Sequence, residues 1–404
     1  MIHLFINAFA ASAGGGLTYI RNTIPILAAC EDVRTTVMLS SALRRDFRDP
    51  ANVEFLEAPV SGGMLQRFWF EQCQLPRVIR RCGANVLLST GNFALWRSPV
   101  PQILLSRNAL YTSRDFMRDL RRRGDYAIWM DTAIKAELAK LSIRVADVTV
   151  APSAAFADEL RQWTGRQVLA IHHGFDGEAF TREKTPLPRE ICEKLEGTAG
   201  ALRLLFVSHY NYYRNFETLL RALPLIHARL APRPVRLILT CELRSETNPG
   251  AYRANAAAGL VTELGVRENV VELGSVPHGM LHHLYQMCDI YVTPAYAESF
   301  AHPLVEAMSM GLPVVASDLK VHREICGEAG RYFQPLSPEA LSETVAAMAT
   351  SSTIREDLVT LGRKRAADFS WQSHVRSLLK VAESLLARSG RDTKIRTSRQ
   401  HSRT

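Results

Sequence analysis

The sequence predicts an α/β fold built from two doubly wound, Rossmann-like domains, and three observations carry that reading. Short runs that are apolar throughout recur between helix-length amphipathic stretches, the pattern of parallel strands covered by helices on both faces. The strand rhythm stops and then restarts near residue 200. The 404 residues, 47% of them hydrophobic, suffice for two such domains and a large buried core.

The first series comprises IHLFIN (2–7), TTVMLS (35–40), ANVLLST (84–90), QILLS (102–106) and ADVTVA (146–151). The second comprises LRLLFVS (202–208), VRLILT (235–240), NVVEL (269–273), DIYVT (289–293) and LPVVAS (312–317), with amphipathic stretches such as Phe216 to Leu230 between them. Residues 172–188, HHGFDGEAFTREKTPLP, mix Gly, Pro and charge without periodicity and read as the junction. The expected division is therefore residues 1–173, residues 174–388 ending in an amphipathic helix from Trp371, and a basic tail, 389–404. That tail has one aliphatic residue, Ile395, and its composition predicts disorder.

Composition narrows the chemistry. Seven cysteines without a C-x-x-C pair suggest neither a disulfide framework nor a zinc knuckle, so a reducing, cytoplasmic compartment is expected. Ala11-Ser12-Ala13 resembles a signal cleavage site, but the segment before it lacks a basic region and His3 and Asn7 interrupt it; a buried first strand is expected. No run approaches the ~18 continuous apolar residues of a membrane span.

The most informative stretch is Thr293 to Pro313, TPAYAESFAHPLVEAMSMGLP. A strand leads into a loop with Glu298, then into a helix with Pro303 in its first turn and Gly311 as its stop. The positive end of that helix dipole suits a phosphate. Glu306, placed on the first helical turn, would lie by the same mouth, and a carboxylate there is suited to accept hydrogen bonds from sugar hydroxyls. Two glutamates so placed fit a nucleotide-sugar, one for each sugar ring; the plain alternative is a pair of first-turn carboxylates stabilised by the dipole.

A second candidate follows strand 202–208, where Ser208-His209-Tyr210-Asn211-Tyr212-Tyr213-Arg214-Asn215 precedes a helix. Groups at a strand's carboxyl end face the crevice where open α/β sheets bind ligands. Arg214 can neutralise a diphosphate bidentately and His209 can add a donor, unless the segment is simply a polar, solvated turn. The third is Gly14-Gly15-Gly16 after the first strand, which reads as a tight turn able to approach a ligand, or merely a flexible one. It does not match G-x-G-x-x-G, and no acidic residue completes a dinucleotide fingerprint.

Together these features resemble family 4 of the glycosyltransferases, with the GT-B fold of two Rossmann-like domains facing across a cleft. The resemblance is carried by the restarting pattern, the GGG, the Arg214-Asn215 pair and above all ESFAHPLVEAMSMGLPVVASD followed by HREICGEAG. It implies a retaining transfer from a nucleotide-diphosphate sugar, UDP- or GDP-linked, with no metal ion or other cofactor. The nucleotide would bind the second domain and a glycan or polyprenyl-linked acceptor the first.

On that resemblance Glu298, Arg214 and His209 are the catalytic candidates. Glu298 would hold the donor sugar and Glu306 the ribose. Phe300, Ala301, His302, Pro303 and Leu304 would place backbone N–H groups near the donor, and Gly15 and Gly16 would close on it. Three departures stand out. His209 occupies a position where arginine is usual, Ala301 one where glycine is usual, and Ser106-Arg107-Asn108 a strand end where many members carry histidine. Arg107 and Asn108 are accordingly assigned to substrate binding. The expected role is bacterial cell-surface polysaccharide or lipopolysaccharide synthesis; the alternatives are a GT-B nucleotide-sugar epimerase and a catalytically inactive sugar-nucleotide-binding subunit.

The net charge of +9 is uneven: residues 1–170 carry +6, residues 171–387 carry −2 and residues 388–404 carry +5. Seven arginines between Arg97 and Arg123, interleaved with Leu110, Tyr111, Phe116 and Leu120, suggest either peripheral contact with an anionic inner-membrane surface or a solvated helix face. Nucleic acid is not expected as a partner, because no nucleic-acid-binding motif is present.

Overall fold

A computed structural model describes residues 1–401 except 10, 12–13, 46, 49, 59–62 and 249–251; at 14, 42, 64–65 and 389–401 it describes the backbone alone. The chain divides into two compact units. One holds residues 1–112, 132–174 and 370–404, the other 113–131 and 175–369.

The first unit is built on a seven-stranded sheet ordered β3-β2-β1-β4-β5-β6-β7. Its strands are β1 (Ile2–Asn7), β2 (Val33–Leu39), β3 (Val53–Glu57), β4 (Val86–Ser89), β5 (Gln102–Leu105), β6 (Val148–Ala151) and β7 (Val168–Ala170). All pairings are parallel, with Ile6 level with Val37 on one side and Leu88 on the other. Every residue of β1 is buried, as a strand covered on both faces requires. The strand order reverses between β1 and β4, and there the helix Gly14–Ala28 begins.

That helix packs against the last one, Trp371–His401. Trp371, Val375, Leu378, Ala382 and Leu385 join Ile20, Ile24 and Leu27 in one apolar core. Tyr19 donates its hydroxyl to, or accepts from, His374 Nε2 at 3.0 Å, and His374 Nδ1 donates to the His172 carbonyl at 2.8 Å. A Cβ on Gly174 would stand 2.0 Å from Trp371 N, so only glycine admits this close approach. The terminal helix thus belongs to the first unit, although sequence continuity had assigned it to the second. Its backbone stays helical through residues 389–401, where composition suggested a disordered tail; a packed first half supplies the costly nucleus from which a helix propagates. Residues 402–404 of that tail lie outside the described residues.

The second unit carries a six-stranded parallel sheet ordered β10-β9-β8-β11-β12-β13. The strands are β8 (Leu202–Phe206), β9 (Val235–Leu239), β10 (Val270–Glu272), β11 (Ile290–Thr293), β12 (Val314–Ser317) and β13 (Gly330–Phe333). Here the order reverses between β8 and β11.

The helix Arg114–Arg122 also belongs to this unit, which splits the arginine-rich stretch that sequence had read as one first-domain surface. Phe116 and Leu120 are wholly buried, Phe116 meeting Tyr213 edge-on at 6.3 Å. Arg123 lies 4.2 Å over the Tyr212 ring and bridges Asp119 and Glu217, each at 3.0 Å. Phe116 and Leu120 are core and Arg123 is paired, leaving Arg114, Arg118, Arg121 and Arg122 as the exposed arginines here, with Arg118 paired to exposed Asp115 at 2.8 Å. No described helix is long and apolar enough to cross a membrane.

Candidate active site

The switch point of the second sheet positions the strongest cluster. The turn after β8, Tyr212–Arg214, and the loop after β11 are stitched together by backbone: Tyr296 N–H donates to the Tyr213 carbonyl at 3.0 Å. Asn215 takes a left-handed conformation, φ 56°, which asparagine tolerates better than most residues. From there its Nδ2 donates to the Pro294 carbonyl at 3.0 Å, and its Oδ1 accepts from Thr218 Oγ1 at 2.9 Å. The asparagine of the Arg-Asn pair therefore fixes the turn that aims the arginine.

Arg214 Nη1 donates to Glu298 Oε2 at 2.5 Å, and Glu298 Oε1 accepts the Ser299 N–H at 3.1 Å. Burial alone would raise the Glu298 pKa, but the Arg214 guanidinium and the Ser299 N–H hold it below the ordinary carboxylate value. Burial likewise works against the Arg214 charge, and Glu298 more than restores it, so the arginine stays protonated. Its Nε is buried without a hydrogen-bond partner among the described residues. His209 has an exposed residue surface at the end of β8, yet the protein around the ring, and then the Arg214 charge, push its pKa below the usual histidine value. Without a ligand the neutral imidazole is therefore favoured at pH 7.

The helix His302–Ser309 begins one residue after Ala301, which sits at φ 64°, ψ 65°. This left-handed geometry explains why glycine is the expected residue: the alanine Cβ is strained there by roughly 1–2 kcal/mol. Phe300 is core, packing on His302 at 4.8 Å and Phe369 at 5.5 Å, so its side chain is not part of a ligand surface. The Leu304 N–H bonds the Ala301 carbonyl at 3.0 Å, and Pro303 has no N–H to give.

Glu306 is the fifth residue of this helix and so opens its second turn, not its first. It is buried, and two residues missed in the sequence hold it. Tyr285 Oη donates to Oε2 at 2.8 Å and His278 Nε2 lies 3.4 Å from Oε1. Burial, then the Glu306 charge, push the Tyr285 pKa well above the ordinary value, so it remains a donor. His322, inside the HREICGEAG block, was also missed. Its Nδ1 donates to the Ser317 carbonyl at 2.8 Å and its buried Nε2 has no partner among the described residues. Burial pushes its pKa down, which leaves Nε2 as a neutral acceptor. No spacing signal marks these three residues, since tertiary packing alone brings them to the glutamates.

The remaining predicted residues lie in the first unit. Gly14–Gly16 form the first turn of a helix instead of a free tight turn. Neither Gly15 nor Gly16 has a positive φ, and a Cβ at Gly15 would meet no atom within 4 Å, so the fold itself does not demand glycine there. Arg107 Nη1 donates to the Gly15 carbonyl at 2.9 Å and Nη2 to the Thr90 carbonyl at 2.8 Å. Burial pushes its pKa down to about 10, still protonated at pH 7. Asn108 is used locally: Oδ1 accepts the Leu110 N–H at 3.1 Å and caps the turn Ala109–Tyr111.

Residues 190–365 match the sequence model of the glycosyl transferases group 1 family. The O-antigen chain mannosyltransferase B of Escherichia coli is 34% identical over 114 residues, 28% of this chain and 30% of that protein. The chain thus spans under a third of that relative's length. Sucrose-phosphate synthase from Thermosynechococcus elongatus superposes with a TM-score of 0.73 at 17% identity, covering 96% of this chain and all of that one. Anabaena HepE in complex with UDP-glucose gives 0.70 at 17% identity, covering 95% and 100%. The chain therefore has the GT-B fold, and residues 190–365 are similar to the glycosyl transferases group 1 family.

Proposed function

We propose that this chain is a retaining, metal-independent glycosyltransferase that moves a sugar from a UDP- or GDP-linked donor to a glycan or polyprenyl-linked acceptor in cell-surface polysaccharide synthesis. The observation that carries the proposal is the pair of glutamates at the β8/β11 switch point, partly buried Glu298 fixed by Arg214 and buried Glu306 fixed by Tyr285. Ligands of open α/β sheets bind at that crevice. Carboxylates so held are suited to sugar hydroxyls rather than to a phosphate, which leaves the phosphates to Arg214 and the start of the His302 helix.

In the reaction the bond from the anomeric carbon to the diphosphate oxygen breaks as an acceptor oxygen bonds to that carbon from the same face. The acceptor's proton passes to the departing diphosphate. Arg214 stabilises the negative charge that develops, and Glu298 keeps the guanidinium oriented toward it. The likeness to an O-antigen mannosyltransferase supports a surface-glycan role, and the complex of HepE with UDP-glucose supports a nucleotide-diphosphate donor.

The test is a thermal-shift screen with uridine, guanosine and adenosine diphosphate sugars at millimolar concentration. Turnover in EDTA, and product with the donor's anomeric configuration by NMR, would support metal independence and retention. A melting temperature unmoved by every donor would refute the reading.

A further inference from the structure

Residues 113–131 lie in sequence between two stretches of the first unit but pack within the second. The helix Arg114–Arg122 in this segment ends in a Schellman turn. Gly124, at φ 71°, donates its N–H to the Arg121 carbonyl at 3.1 Å, and the Asp125 N–H bonds the Leu120 carbonyl at 2.9 Å. Asp119 on the helix and Asp125 just beyond it each receive a tyrosine. Tyr212 Oη donates to Asp125 Oδ2 at 2.5 Å, and Tyr296 Oη to Asp119 Oδ2 at 2.9 Å. Burial, then the neighbouring aspartate, pushes the pKa of both tyrosines up, so each hydroxyl keeps its proton and donates.

The spacing is the same on both sides of the switch point. Tyr212 stands two residues before Arg214, and Tyr296 two residues before Glu298. Successive Cα atoms are ~3.8 Å apart, so an anchor at that range leaves the charged residue little backbone freedom. The turns also meet through the Tyr296 N–H bond to the Tyr213 carbonyl, while Phe116 packs on Tyr213 at 6.3 Å and on Tyr252 at 6.4 Å.

The two anchors are joined to each other. Arg123 stacks on the Tyr212 ring and pairs with Asp119 and Glu217, and Glu217 opens the helix that follows the Arg214 turn. Asp125 is buried and also pairs with Arg253. Apolar packing alone would hold the segment in place, whereas hydrogen bonds to charged acceptors add a fixed direction.

We propose that the bonds Tyr212–Asp125 and Tyr296–Asp119 are positioning contacts of the donor site, the first aiming Arg214 at the diphosphate and the second aiming Glu298 at the donor sugar; this rests on the nucleotide-sugar reading above. All four residues act through the charged pair.

The test is calorimetric titration of wild type, Tyr212→Phe and Tyr296→Phe with uridine and guanosine monophosphates, their diphosphates, UDP-glucose and GDP-mannose. Hydrogen–deuterium exchange of segments 209–216 and 294–300 is measured in the same proteins without ligand. Tyr212→Phe should cut the preference for diphosphate over monophosphate at least about fivefold, and Tyr296→Phe the preference for sugar-linked over free diphosphate at least about threefold. Monophosphate affinity should stay within about twofold in both, which also shows that the variants fold. In Arg214→Gln, which has no charge for the turn to aim, adding Tyr212→Phe should leave the diphosphate preference within about twofold. Preferences unmoved by either change, a loss shared equally by all ligands, or a Tyr212→Phe loss that persists in Arg214→Gln would overturn the proposal. If wild type binds no nucleotide, faster exchange of both segments in the variants would keep the positioning contacts and sink the donor assignment, whereas unchanged exchange would overturn both.

Discussion

Arg214 and Glu298 stand 84 positions apart in the chain and meet at 2.5 Å, joining the turn after β8 to the loop after β11. Both side chains are largely withdrawn from solvent, with relative exposures of 20% and 11%. The cation proposed for a diphosphate is therefore already balanced by the carboxylate proposed for the donor sugar, and each fixes the other's orientation.

Removing one partner leaves a buried charge uncompensated. Arg214→Ala should destabilise the second unit by about 3–5 kcal/mol at neutral pH, read from urea unfolding. Arg214→Lys keeps the charge without the planar fork, so it should recover part of the stability and less of the donor affinity.

The same pair gives stability a defined pH dependence. The folded Glu298 pKa is depressed, so its contribution is fully present above the unfolded value of about 4.3 and is lost as pH falls through the lower folded value. Unfolding free energies measured downward from neutral pH should show an acid limb that Glu298→Gln flattens. An unchanged limb in that variant would mean that the pair does not titrate as described.

Without a ligand the neutral form of His209 is favoured at pH 7 because its pKa is pushed down. His209→Gln should keep donor KM within about threefold between roughly pH 6.5 and 8, whereas His209→Arg, adding a permanent charge, should lower it. A donor KM that climbs in wild type as pH rises through the ordinary histidine value would instead show a protonated imidazole at work.

Tyr285→Phe deletes the hydrogen bond that orients Glu306 while keeping the packing. Donor KM should rise roughly tenfold, with kcat changed by less than about threefold, because binding of the nucleotide and not the chemical step is affected.

Ala301→Gly relieves the left-handed strain at the start of the His302 helix, offset in part by the greater freedom of glycine in the unfolded chain. A net gain of about 0.5–1 kcal/mol in urea unfolding is expected, and Ala301→Val should lose stability.

The strands that sequence missed share one feature. β1, β8 and β11 are central, mostly buried, and read as predominantly apolar runs. β3, β7 and β13 escaped notice, and all three lie at sheet edges, where VEFLE and GRYF mix charge with apolar residues and β7 has only three residues. The exchange of residues 113–131 and 370–404 between units was invisible for a different reason. Periodicity shows that the Trp371 helix has an apolar face, but only packing shows that the face meets Ile20 and Leu27. Glu298 and Arg214 could be singled out because they lie in the segments that follow strands, and Glu306 because it lies on the helix that Pro303 marks. Tyr285, His278 and His322, which set their orientation and environment, were not.

The most direct measurement of the central claim is calorimetric titration of UDP- and GDP-linked sugars into wild type, Glu298→Gln and Glu306→Ala. Wild type should bind at least one donor, with Glu306→Ala at least about tenfold weaker for both the donor and its free nucleoside diphosphate. Glu298→Gln should weaken the sugar-bearing donor more than the nucleotide alone. Equal binding of donor and nucleotide by all three proteins, or no binding by wild type, would contradict the assignment of this site.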